Sequence, residues 1–97
     1  MNIKFAHMSS RQEAVARVKN ALNEARPKLG DRATINEERW DGDMLHFAFT
    51  AQGQHISGQL EVRDHEFDIN ITLPLMLQLF EGQIKKMIEE QAKQMLG

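Results

Sequence analysis

The sequence predicts a single α+β domain over residues 1–97, in which one antiparallel sheet of about five strands carries two helices on one face. Near both ends of the chain, apolar residues recur every three or four positions, which is typical of amphipathic helices. From residue 33 to residue 73 they alternate with polar residues, which is typical of half-buried strands. The run Arg39-Trp40-Asp41-Gly42-Asp43 places an Asp-Gly turn before an alternating segment, which is a strong hairpin signal.

The chain opens with a strand and a helix. Ile3 and Phe5 alternate with polar residues, which predicts a short half-buried strand at residues 2–7. Ser10 followed by Glu13 is a capping box, so a helix begins there. Pro27 removes a backbone N–H, which predicts that the regular helix ends near Arg26 and that Gly30 finishes the turn. The helix carries one narrow apolar stripe: Val15, Val18, Leu22, Ala25 and Leu29.

Three alternating runs in the middle of the chain predict a meander of strands with one dry face. Polar turns at residues 52–54 and 64–66 separate these runs. The segment 33–40 has little apolar alternation, and its charges favour an edge strand, because charges discourage pairing with another sheet. Its register stays open. With the first strand beside residues 67–73, the predicted spatial order is 1-5-4-3-2.

A long amphipathic helix is predicted from Pro74 almost to Gly97. Gly82 is its weak point, because a mid-helix glycine costs about 1 kcal/mol relative to alanine. It therefore either admits a close neighbour or marks a bend. Both helices cover the dry face of the sheet, in the order strand, helix, four strands, helix. This layout resembles a reduced helix-grip fold.

Composition excludes several classes of function. Twelve Lys and Arg against 14 Asp and Glu give a formal net charge of -2, so a nucleic-acid partner is not expected. The absence of cysteine excludes disulfides and thiolate nucleophiles. No stretch approaches the ~18 apolar residues that a transmembrane helix requires, and the start of the chain lacks a signal-peptide pattern, so a cytoplasmic location is expected.

The sequence contains no pattern typical of an enzyme. There is no Gly-x-Ser-x-Gly elbow, no tyrosine and no glycine-rich phosphate loop, so we expect neither catalytic residues nor a cofactor. In the simplest register His46, Glu61 and Asp68 would line up on the polar side of the sheet, and these are metal-ligand types. An open, wet face cannot fix coordination, so no metal site is predicted, although whether the three bind any ion stays open.

The last helix gives the main indication of function. It overruns a short sheet, which would leave residues 87–96 partly uncovered, and an uncovered apolar stripe indicates a partner protein, a dimer mate or a lipid-like surface. The predicted binding residues are Met87, Ile88, Met95 and Leu96. The alternative is a small hydrophobic-ligand carrier, with a cavity between sheet and helix lined by Phe47, Phe49, Leu60, Ile69 and Phe80.

Taken together, three motifs resemble the putative polyhydroxyalkanoic acid system protein family of small bacterial proteins. They are Arg39-Trp40-Asp41-Gly42-Asp43, Gly58-x-Leu60-x-Val62 with Asp64, and Leu73-Pro74-Leu75 leading to Phe80-x-Gly82-x-Ile84. Glu81 departs from the family pattern, in which a basic residue is common. The resemblance implies a non-enzymatic accessory of polyhydroxyalkanoate storage, acting on the granule surface or on granule proteins. It brings no catalytic residues.

Overall fold

The computed structural model describes residues 1–96, with side chains as far as Gln94. Five strands and three helices follow one another along the chain. They are β1 (Asn2–Ala6), α1 (Arg11–Leu29), β2 (Ala33–Asp41), β3 (Met44–Ala51), β4 (Gln54–Arg63), β5 (Glu66–Thr72), α2 (Leu75–Gln78) and α3 (Glu81–Leu96).

The strands form one antiparallel sheet in the order β1-β5-β4-β3-β2, which confirms the predicted fold class and strand order. Two-residue turns set the register. Gln52 and Gly53 both have positive φ, at 52° and 75°, which matches the turn type that suits twisted hairpins. In the β2–β3 turn Asp41 pairs with Met44, so Gly42, with φ of 60°, stands at the first turn position.

Strand β2 lies at one edge of the sheet, as predicted, and a bulge sets its register. The pairing with β3 shifts between Ile35 and Glu37, which leaves Asn36 as the extra residue. Beyond the bulge Glu38 faces the helices, where it forms an ion pair with Arg26 of α1. This bulge fixes the register of β2, which could not be predicted from the sequence.

Helix α1 begins as the capping box predicts but ends later than expected. The backbone N–H of Glu13 donates to Ser10 Oγ at 3.2 Å, and the N–H of Arg11 donates to Asp64 Oδ1 at 3.0 Å. The helix continues through Pro27 to Leu29, so the predicted end near Arg26 was wrong. A proline removes only one helical hydrogen bond, which a last turn tolerates. Gly30, with φ of 52°, ends the helix.

The dry face of the sheet carries two core clusters, one under each long helix. In the α1 half, Ala14 and Val18 pack over Leu45, Leu60 and Val62. In the α3 half, three inward residues of α2 and α3 pack against the buried side chains Ile3, Ile71 and Leu73; the inward residues are Leu77, Ile84 and Ile88. Phe5, Phe47 and Ile69 touch both clusters and join the halves.

The predicted C-terminal helix is two helices. A short turn separates them, in which the N–H of Phe80 donates to the carbonyl of Leu77 at 3.0 Å. Such an i→i+3 bond tightens the chain and ends α2 before α3 begins. The break lies at Leu79 and Phe80, whereas Gly82 belongs to the first turn of α3.

Candidate functional site

Large apolar side chains are exposed on α2, on the turn after it and at Met87 in the second turn of α3. Leu79 is 84% exposed and Met87 is 56% exposed. We call these five residues the C-terminal patch: Leu75, Met76, Leu79, Phe80 and Met87. An exposed apolar cluster of this kind is rare on a soluble monomer unless something binds there.

The local sequence explains why the patch is exposed. Five of the six residues from Leu75 to Phe80 are apolar, whereas a helix on one side of a sheet buries only one face. Leu77 takes the buried position against Ile71 and Leu73. The remaining four therefore face outward. This excess of apolar residues is the signal by which the sequence could have placed the site on α2.

The structure distributes the predicted binding residues between surface and core. Met87 is exposed and belongs to the C-terminal patch. Ile88 is half-buried and packs against the cluster of the α3 half, so it contributes to the fold. The side chains of Met95 and Leu96 lie outside the described residues.

Gly82 lies between the patch residues Phe80 and Met87 in the sequence. No contact within the described chain explains why a glycine occupies this position. No other side chain of the described residues comes within 4 Å of the position that its Cβ would occupy. The helix break precedes it, so it does not mark the bend either. Neither predicted explanation of Gly82 therefore holds inside one copy of the chain.

The five residues of the alternative ligand cavity do not come together around a space. Leu60 is buried in the α1 half, and Phe80 is 51% exposed in the C-terminal patch. Phe47 and Phe49 stack on each other, with 6.5 Å between ring centroids. Of the five, only Phe47 borders either of two open depressions, and that one, of 360 Å³, is otherwise lined by polar residues such as His46, Gln59 and Asn70.

An ion-pair network occupies the outer face of the sheet. Arg63 contacts Glu61 and Glu66 at 3.1 Å each, and Asp68 at 3.2 Å. Hydrogen bonds from Arg63 hold the pKa of Glu61 below its usual value, and the same pairing raises the pKa of Arg63. Arg63 therefore supplies the positive charge that the adjacent carboxylates Glu61 and Asp68 require.

The predicted row of metal-ligand types does not form. The Gln52-Gly53 turn pairs His46 with Gln59, whereas Glu61 pairs with Met44 on one side and Asp68 on the other. The expected pairing of His46 with Glu61 was wrong by two residues. Among the described residues, no three His, Asp or Glu side chains are placed to hold a metal ion.

His7 is a buried polar residue just after β1. The backbone N–H of Ser9 donates to its Nδ1 at 3.2 Å, and its Nε2 lies 2.8 Å from the carbonyl oxygen of Arg63. Since Nδ1 accepts, Nε2 carries the proton and donates. One ring nitrogen thus holds the loop between β1 and α1, and the other joins that loop to β4.

Trp40 closes the outer end of the core in the α1 half. The Lys19 Nζ lies 5.2 Å from the centre of its ring, within cation–π range. Within residues 1–96, neither its indole N–H nor the buried Oε1 of Glu38 has a hydrogen-bond partner.

Comparison with known families identifies the chain. The model of one family, described as Putative polyhydroxyalkanoic acid system protein, matches residues 1–96. The chain belongs to this family. The match confirms the resemblance predicted from the sequence, and it includes the C-terminal patch of this polyhydroxyalkanoic acid system protein. No curated protein and no solved structure matches it. None of the described helices is both long and apolar enough to cross a bilayer.

Proposed function

We propose that this member of the polyhydroxyalkanoic acid system family is a non-enzymatic accessory protein of polyhydroxyalkanoate storage. In this proposal it acts in the cytoplasm and binds storage granules through the C-terminal patch. The observation that carries the proposal is the exposure of Leu75, Met76, Leu79, Phe80 and Met87 on a chain whose family is named for this polyester.

The chemistry of the patch suits an apolar, irregular surface. Fully burying a large apolar side chain contributes about 1.5–3 kcal/mol. Several such residues can therefore offset the loss of freedom on adsorption. Met76 and Met87 have flexible side chains that adapt to surfaces without a fixed shape. A polyester with alkyl substituents presents such a surface.

A non-enzymatic role agrees with the use of the polar side chains. The carboxylates of Glu61 and Asp68 are held by Arg63, and both nitrogens of His7 are engaged. We expect no hydrolysis of the polyester or of 3-hydroxyacyl esters by the purified protein.

Co-sedimentation with protein-free poly(3-hydroxybutyrate) particles tests the proposal. The wild-type chain should pellet with the particles, and Leu79→Glu should reduce the bound fraction several-fold, because a charge cannot enter the polyester without a large desolvation cost. Met8→Glu is the matched control, since Met8 is 98% exposed but lies outside the patch.

Each arm of this experiment has a defined consequence. Equal binding by wild type, Leu79→Glu and Met8→Glu would overturn the role of the patch. Binding to native granules but not to protein-free particles would assign the patch to granule proteins instead of the polymer.

A further inference from the structure

We infer that, away from granules, the C-terminal patch is covered by a second copy of this chain. The two copies form a symmetric dimer in which α2 and the first turns of α3 pack against their counterparts. The inference rests on the proposed function, in which the patch is a binding surface. It adds the partner that covers the patch when no granule is present. One surface cannot contact both partners, so the dimer must open before adsorption.

The exposed area is the first support for the dimer. A folded monomer of 11.2 kDa is expected to expose about 5,700 Å². This chain exposes 6691 Å². The excess of about 1,000 Å² is close to the ~800 Å² that each partner contributes to a standard protein–protein interface. The C-terminal patch supplies apolar area suited to the centre of such an interface.

Gly82 favours a helical partner over a polymer surface. A glycine in a helix costs about 1 kcal/mol relative to alanine, and no other side chain of the described residues uses the space it leaves. A missing side chain beside Leu79 and Phe80 lets the backbone of another helix approach closely. A soft polyester surface has no need of that gap.

The charges around the patch also suit a second copy. From Glu81 to Lys93, α3 carries three acidic and three basic residues, so this surface has no net charge. In a two-fold interface the same surface faces itself, and a single-sign rim would repel its copy. Because α3 carries both signs of charge, a second copy can approach it without like-charge repulsion along the whole rim.

Sedimentation velocity in the absence of any polymer tests the dimer. Over roughly 1 μM to 1 mM protein, the wild-type mass should rise from 11.2 kDa toward twice that value. Leu79→Glu should stay monomeric, whereas the control Met8→Glu should associate like wild type. Circular dichroism should show the same folded spectrum for all three, because both positions are exposed.

Gly82→Leu separates the dimer from the proposed function. The added side chain should weaken dimerisation by about tenfold or more, because it fills the space where the helices meet. It should leave binding to polyester particles intact or increase it, because it adds apolar surface and less of the patch is covered by a second copy.

Two results would overturn the dimer. A wild-type mass that stays at 11.2 kDa at every concentration would do so, even if particle binding succeeds. So would unchanged association of Leu79→Glu, which would place the interface elsewhere. Failure of particle binding with an intact, patch-dependent dimer would instead overturn the granule proposal alone.

Discussion

The α1 half and the α3 half of the sheet contain similar apolar residues, but the α1 half buries them whereas the α3 half leaves several of them exposed. In the α1 half, Ala14 and Val18 are buried, the helix start is capped, and an ion pair from Arg26 holds the helix to the edge strand. In the α3 half, Ile84 and Ile88 pack on the sheet while Leu79 and Phe80 point away from it.

Exposed and buried apolar residues therefore have different roles in the two halves. An apolar residue of α1 mainly stabilises the fold of its own chain. An exposed apolar residue of the C-terminal patch has little to lose within the chain and most to gain from another surface. Stability and association should therefore respond to mutations in different halves, and the following experiments test that division.

The largest effect is expected from Leu45→Ala. Leu45 is 3% exposed beneath α1, so its truncation should lower the free energy of unfolding by about 2–5 kcal/mol. Leu79→Ala, the same change in the patch, should alter it by less than about 0.5 kcal/mol. Urea unfolding at low protein concentration measures both. Similar losses would erase the distinction between the halves.

Gly58→Ala tests the place where the halves meet. An added Cβ would lie 2.8 Å from Cζ of Phe47 and closer still to the carbonyl oxygen of Asn70. We expect a loss of about 1–3 kcal/mol, because strand backbone cannot shift as a flexible side chain can. Thermal unfolding would show it, and an unchanged midpoint would mean that β4 and β5 separate readily.

Gly82→Ala should stabilise the protein, in contrast to Gly58→Ala. Nothing in the described chain fills the space at this position, so alanine should raise the stability of the monomer by about 0.5–1 kcal/mol. Unfolding at a concentration low enough to exclude association measures this gain. A loss of stability there would mean that α3 packs more closely on its own chain than the structure shows.

Lowering the pH should reduce the free energy of unfolding by less than these substitutions change it, through the ion pairs on the outer face of the sheet. Arg63 lowers the pKa of Glu61 from 4.5, so the contribution of this pair is present above about pH 4.5 and is lost as the pH falls through the lower folded value. Arg63→Gln should reduce this loss as the pH falls below about 4.5. An identical pH dependence in wild type and variant would show that the pair adds nothing measurable.

Strand order and edge position could be predicted from the sequence because alternation and turn residues are local signals. The Ser10 cap was predictable for the same reason. The bulge at Asn36 and the pairing of His46 were not, because each depends on one residue more or fewer in a strand or turn.

The surface was harder to predict than the sheet. Periodicity showed that the C-terminal segment is apolar and helical, but it could not show that a turn at Phe80 divides the segment. Without that division, the uncovered apolar surface was predicted at residues 87–96 and not at Leu75 and Leu79. Ile88 was assigned to the surface for the converse reason, since only the packed structure shows which apolar residues reach Ile3 and Ile71.

Trp40 gives this molecule a built-in optical probe. It is the only tryptophan in the chain, and its indole N–H has no hydrogen-bond partner among the residues that the structure describes. Trp40 packs against the core of the α1 half, and Lys19 of α1 lies over its ring, so its emission reports the docking of α1 on the edge strand. Events at α2, on the other half, should leave that emission unchanged. Fluorescence and adsorption can thus be followed in one sample as separate signals, one for folding and one for encounter.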